Sequence, residues 1–220
     1  TNGDVDDAAE DLIAAGGSIV RSSAAETLEV VSTDNTDDKA GGDGALTVYV
    51  QYLDGNYAVQ EETATLNGTT AVALSGTGIR VLEAKIATAG ANGVPTGTVT
   101  VEQDTSGDVL ATIPAGQNAA ERAYYVVPAS RRLIVTRWGA ALQTKAAADD
   151  AGVTVGLHAI EGAGELTYIK DKVDVYSEHP EAWRNAVLSF GPQEEVWLRV
   201  ITLPAADNLV VRGWIEGYLI

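Results

Sequence analysis

Two histidines, a crowded run of aspartates and four tryptophans are the side chains in this sequence with the most chemistry to offer. His158 lies in Val153–Ile160 (VTVGLHAI), on the strand face opposite Val153, Val155 and Leu157, and His179 stands before Pro180. Metal sites need several ligands at close spacing, such as H-x-x-x-H or paired cysteines. The chain has no cysteine, and its histidines are far apart. Both therefore read as structural or surface residues. Asp34, Asn35, Asp37, Asp38 and Asp43 share one loop. Clustered oxygens suit calcium, but this spacing is not that of an EF-hand. The loop reads as a solvated acidic segment, with calcium binding as the alternative.

No serine sits in a G-x-S-x-G elbow, and there is no G-x-x-x-x-G-K-[ST] phosphate cradle. Gly76-Thr77-Gly78 is too short for a dinucleotide fingerprint. A pair of carboxylates for glycoside hydrolysis is assembled in space, so 31 acidic residues do not single one out. No catalytic residue, cofactor-binding residue or metal ligand is assigned, no cofactor is expected, and the chain is read as non-enzymatic. Trp138, Trp183, Trp197 and Trp214, with eight tyrosines, suit a sugar-binding surface or a subunit interface. Trp197 alternates with Val196, Leu198 and Val200. If that trio faces the core, Trp197 points outward, more readily onto a neighbouring subunit or loop than onto a ligand.

Charge narrows the partners. The net charge is −17, with 14 Lys plus Arg, and the pI is near 4.3. Nucleic-acid binding requires phosphate neutralisation by basic side chains, and anionic membrane surfaces attract them too, so neither is an expected partner. The lysines are few: Lys39, Lys85, Lys145, Lys170 and Lys172. An acidic, lysine-poor surface suits a saline or halophilic setting, where salt screens self-repulsion; an ordinary acidic surface kept soluble by its charge is the alternative. No run of about 18 apolar residues marks a transmembrane helix. The acidic start, TNGDVDDAAEDL, is not read as a signal peptide, and its lack of an initiator Met is read as removal or trimming.

The elements that must carry these residues are strands. Leu46, Val48, Val50 and Tyr52 alternate with polar or exposed-type neighbours, giving a half-buried strand. Asp54-Gly55 predicts a hairpin into Tyr57–Leu66, with Glu61 and Glu62 near an exposed edge or bulge, and Asn67-Gly68 predicts a second hairpin into Thr69–Leu74. Ile79–Ala87 reads as a strand between turns. Gly97–Gln103, Val109–Ile113, Arg122–Val127, Leu133–Trp138, Val153–Ile160, a strand within Glu165–Glu178, and Trp183–Phe190 follow. Glu195–Thr202 and Asn208–Leu219 are expected to pair around Pro204–Asp207. About a dozen strands at roughly 8–14-residue spacing predict an all-β, antiparallel β-sandwich of jelly-roll type. Asp4–Ala15 has helical spacing and an acidic first turn, so a short N-terminal helix or arm is expected over 1–27. The sandwich domain then spans 28–220, with a subdivision considered near 143–152. Val48, Val50, Val99, Val135, Val155, Leu198, Val200 and Val211 are core candidates. Ile113-Pro114, Val127-Pro128 and Leu203-Pro204 read as strand terminators.

Leu46–Gly55 (LTVYVQYLDG), Glu61–Val72 (EETATLNGTTAV), the Ala89–Gly93 turn (AGANG) and Gly97–Val101 (GTVTV) resemble a recurring module of tailed-virus structural proteins. Ile113–Gly116, Val127–Ala129 and Gly213–Ile220 are also similar to it. The resemblance covers roughly Leu46–Val135 and rests on turns and strands. It implies a virion component of a bacteriophage or haloarchaeal virus, with a β-sandwich and homo-oligomeric assembly, a trimer favoured. The resemblance leaves the location open between head decoration, turret or spike, neck and tail; a capsid decoration, turret or spike, beside the major capsid protein, is the expectation. A tail or adsorption protein with a carbohydrate-binding β-sandwich, its partner a host-surface glycan, is the alternative. The strong acidity departs from the module and would suit a virus of a salt-loving or marine host.

Overall fold

The computed structural model describes residues 2–5, 10–13, 18–142, 152–160, 167–176, 180–202 and 209–220. Fifteen strands run in chain order. They begin with β1 (Asn2–Val5), β2 (Glu26–Ser32), β3 (Ala45–Leu53), β4 (Val59–Thr65), β5 (Val72–Gly78), β6 (Arg80–Ala89), β7 (Val99–Gln103) and β8 (Val109–Ile113). The rest are β9 (Tyr124–Val126), β10 (Leu133–Leu142), β11 (Gly152–Ile160), β12 (Thr167–Tyr176), β13 (Glu181–Phe190), β14 (Glu195–Thr202) and β15 (Leu209–Leu219). All pairings between them are antiparallel. The described residues form no helix and no barrel.

The chain divides into two compact units, 1–18 with 122–220 and, between them in sequence, 19–121. In the first unit, sheet I has the order β1-β15-β10-β13 and sheet II the order β12-β11-β14-β9. Both sheets contribute to one core. Val135, Trp138 and Ala140 of β10 meet Val155 and Leu157 of β11, Val173 of β12 and Leu198 and Val200 of β14. In the second unit, sheet III (β5-β2-β7-β8) and sheet IV (β4-β3-β6) share another core, built from Leu28 and Val30, Val99 and Val101, and Val48, Val50 and Val81. The eight valines and leucines expected inside are all fully buried, divided between the two cores.

Three local expectations are corrected. The helix over Asp4–Ala15 is not formed. Asn2–Val5 is a strand pairing with β15, Asp11 and Ile13 bridge to Arg199 and Arg122, and residues 6–9 and 14–17 lie outside the described residues. Strand edges that need partners outcompete a short acidic helix there, because helix nucleation yields few hydrogen bonds per residue fixed. Asn67-Gly68 does turn, with Gly68 at φ +57° and Thr70 N–H donating to the Asn67 carbonyl. It leads from β4 in sheet IV to β5 in sheet III, however, and so is not a hairpin. Likewise β14 and β15 belong to different sheets, and Pro204–Asp207 lies outside the described residues.

The Asp54-Gly55 hairpin joins β3 to β4 as expected, with Val48 opposite Ala64 and Leu53 opposite Val59. The positive φ falls on Tyr57 (φ 59°), not on Asp54 or Gly55. Asp54 organises the loop by accepting from the N–H groups of Asn56 (2.8 Å) and Ala58 (3.0 Å). Partial burial pushes the Asp54 carboxyl up, but those two N–H groups and the Gln60 amide outweigh it and hold the group below its ordinary value. Glu61 and Glu62 lie on β4, an edge strand of sheet IV. The boundary placed after residue 27 falls inside β2, and the subdivision considered at 143–152 lies almost wholly outside the described residues.

Candidate functional site

The outer face of sheet I carries three aromatic side chains that point away from the core, Trp183, Trp214 and Tyr218. Two rows cross its three central and edge strands. In one, Trp183 of β13 and Trp214 of β15 flank Gly139 of β10; in the next, Asn185 and Glu216 flank Arg137. Strand alternation explains the placement, since Trp138 and Ala140, on either side of Gly139, face the core. A β-carbon on Gly139 would sit 2.6 Å from Trp214 Cζ2 and 2.9 Å from Trp183 Cβ. The missing side chain is what lets the Trp214 ring lie against the sheet. Trp183 is 48% exposed, Tyr218 55% and Val187 81%, all on this face or its rim.

The polar row is pre-set. The Arg137 guanidinium lies 5.0 Å from the centre of the Trp183 ring, a cation–π contact, and 3.9 Å from Glu216 Oε1. The buried Arg137 Nε–H meets no acceptor among the described residues. An indole face, a guanidinium and a carboxylate thus stand side by side. This arrangement stacks rings and presents hydrogen-bond donors and acceptors, and it contains no nucleophile–base pair.

The other residues singled out in the sequence go elsewhere. Trp197 is opposite the core trio, as expected, but it does not reach solvent: it is 1% exposed and its ring meets His158 at 5.4 Å, tilted by 33°. Trp138 is fully buried and its Nε1–H donates to Asp171 at 3.3 Å. His179 lies outside the described residues. In the acidic loop Asp34, Asp37 and Asp38 spend their carboxylates on neighbouring groups. Asp37 is fully buried and accepts from Ala45 N–H (2.7 Å), Thr96 N–H (2.9 Å), Gly97 N–H (2.8 Å) and Ser32 Oγ–H (2.6 Å). Asp34 accepts from the hydroxyl and the N–H of Thr36, which lower its pKa. Among the described residues no three acidic or imidazole groups are placed to hold a metal ion.

A cleft of about 400 Å³ opens between Arg122, Tyr124 and Tyr125 on one side and Leu133, Ile215 and Tyr218 on the other. Tyr124 donates to Glu195 at 3.1 Å, and burial pushes the Tyr125 hydroxyl above its ordinary value.

The sequence did not single out Arg137, Gly139 or Glu216. The signal available was the lone Gly139 in the interior of β10, which marks a close approach to the backbone. No family model, curated protein or solved structure matches this chain.

Proposed function

We propose that this chain is a non-enzymatic structural protein of a tailed-virus particle, displayed on the particle surface and assembled with copies of itself. Each unit is then an antiparallel sandwich of the jelly-roll kind, and the acidic surface serves a saline setting. The observation that carries the reading is the set of exposed apolar side chains on two edge strands of the first unit. There β12 and β13 each end their sheet, and Ile169 (51% exposed), Tyr176 (49%), Trp183 (48%) and Val187 (81%) stand out from them. Apolar side chains at such exposure on edge strands gain from cover by a second chain. Repetition over a symmetric particle turns weak contacts of this kind into a stable array, alongside the major capsid protein.

Light scattering of the purified protein at low and molar salt tests this. A trimer or larger ring is expected, reduced to monomer by Val187→Lys; a monomer at every salt concentration rejects self-assembly. The second reading, an adsorption protein with a carbohydrate-binding sandwich, is favoured by the Trp214 ring laid over Gly139 beside Arg137 and Glu216.

A further inference from the structure

We propose that the row Trp183–Gly139–Trp214, with Arg137 and Glu216 beneath it, is a binding site for a neutral saccharide bearing adjacent free hydroxyls. The inference rests on the adsorption reading above and names its ligand class and its residues.

The argument begins with Gly139. Any side chain at that position would run into both tryptophans. Its absence lets the Trp214 ring come against the backbone at Gly139, and the residue stays partly exposed. A rigid indole has few torsions to freeze on binding and offers a flat apolar area. The C–H face of a pyranose is also flat and apolar, while its hydroxyls project around the rim. The rim here is matched to them. Arg137 carries only donors and Glu216 only acceptors, and they sit 3.9 Å apart. Two adjacent hydroxyls each donate and accept, so one such pair satisfies both side chains. Arg137 is already held in place by Trp183, so little ordering cost remains. Asn185, exposed in the same row, adds a donor and an acceptor.

Charge decides between classes of sugar. The carboxylate of Glu216 beside the guanidinium, on a chain of net charge −17, disfavours sulfated or strongly acidic glycans. A second copy of the chain is the competing occupant. It has no use for a donor–acceptor pair held apart from any partner strand, and Val187 supplies the aliphatic contact outside the two rows.

The test uses the full chain with soluble maltotetraose, cellotetraose, mannotetraose and galactotetraose, followed by tryptophan fluorescence and saturation-transfer NMR. Expected is saturable binding of at least one of the four, weakened about tenfold or more by Trp214→Ala and by Trp183→Ala and severalfold by Arg137→Gln, and unchanged by Val187→Ser. Circular dichroism of each variant separates loss of the site from loss of the fold. If Trp214→Ala unfolds, Trp183→Ala and Arg137→Gln, both at exposed or partly exposed positions, carry the result. Binding that survives these substitutions leaves the adsorption reading standing and overturns this site. Binding of none of the four overturns both. A Trp214→Ala, Trp183→Ala or Arg137→Gln variant that keeps its sugar affinity but dissociates into monomers assigns the two rows to subunit contact and overturns the proposal.

Discussion

A single buried carboxylate, Asp37, ties its own loop to the end of β2, to the start of β3 and to the Thr96–Gly97 turn, 59 and 60 residues further on. Its four accepted hydrogen bonds reach Ser32, Ala45 and the Thr96–Gly97 turn, and its own carbonyl accepts from Gly68 N–H at 2.9 Å. Removing an acceptor that satisfies several buried donors leaves each of them desolvated and unpaired. Asp37→Ala is expected to cost about 3–5 kcal/mol, read as a lower midpoint in urea unfolding. Asp38→Ala, which loses only its bond to Ala40 N–H, costs less than about 1 kcal/mol in the same experiment. At the surface, Gly139→Val pushes Trp214 off the sheet; a blue- or red-shifted tryptophan emission with reduced stability, by about 1–3 kcal/mol, is the expected outcome. Sequence alone could not rank the aspartates of the acidic loop. Their types and spacing are similar, and only the fold decides which one turns inward toward waiting N–H groups.

Strand pairing places like charges opposite each other on sheet III. Glu29 of β2 pairs with Glu102 of β7. Partial burial, together with the charges of Glu102 and Asp104, raises the Glu29 pKa. The sign follows directly: the folded chain holds this proton more tightly than the unfolded chain, so the group costs nothing in acid below the ordinary carboxylate range. The cost appears as pH rises through the ordinary and then the raised value, and it persists at neutral pH. Glu29→Gln is therefore expected to stabilise at neutral pH and low salt by about 0.5 kcal/mol, with no gain in acid. Molar salt should erase most of that gain by screening the pair, and thermal melts across pH and salt would show it. Most individual strands were legible in the sequence, because period-two alternation and turn residues are local signals. Sheet membership was not. Asn67-Gly68 marks a real turn, yet nothing near it tells that β4 and β5 part into different sheets. The outward face of Trp197 was legible too, while its burial against His158 depends on residues brought in from elsewhere in the chain.

At the scale of the molecule, residues 19–121 have their own two sheets and their own core. Expressed alone, they are expected to fold with a single cooperative transition, since a unit with a closed core and internal pairing carries its own stability. A fragment that stays unfolded by circular dichroism and shows no transition would contradict this. The first unit is different: it is assembled from both sides of that insertion. Leu12 N–H donates to the Leu198 carbonyl at 2.9 Å, Ala123 N–H donates to the Leu12 carbonyl at 2.8 Å, and Ile13 bridges Arg122. Asn2 and Val5 find their partners only at Val211 and Leu209.

That topology imposes an order on synthesis. A ribosome emits β1 long before β15, its partner, so that strand has no sheet to join until β15 has emerged. The inserted unit, complete once residue 121 has cleared the exit tunnel, is free to close long before. Nascent chains arrested past that point should resist protease through 19–121 while remaining cleavable within the leading segment.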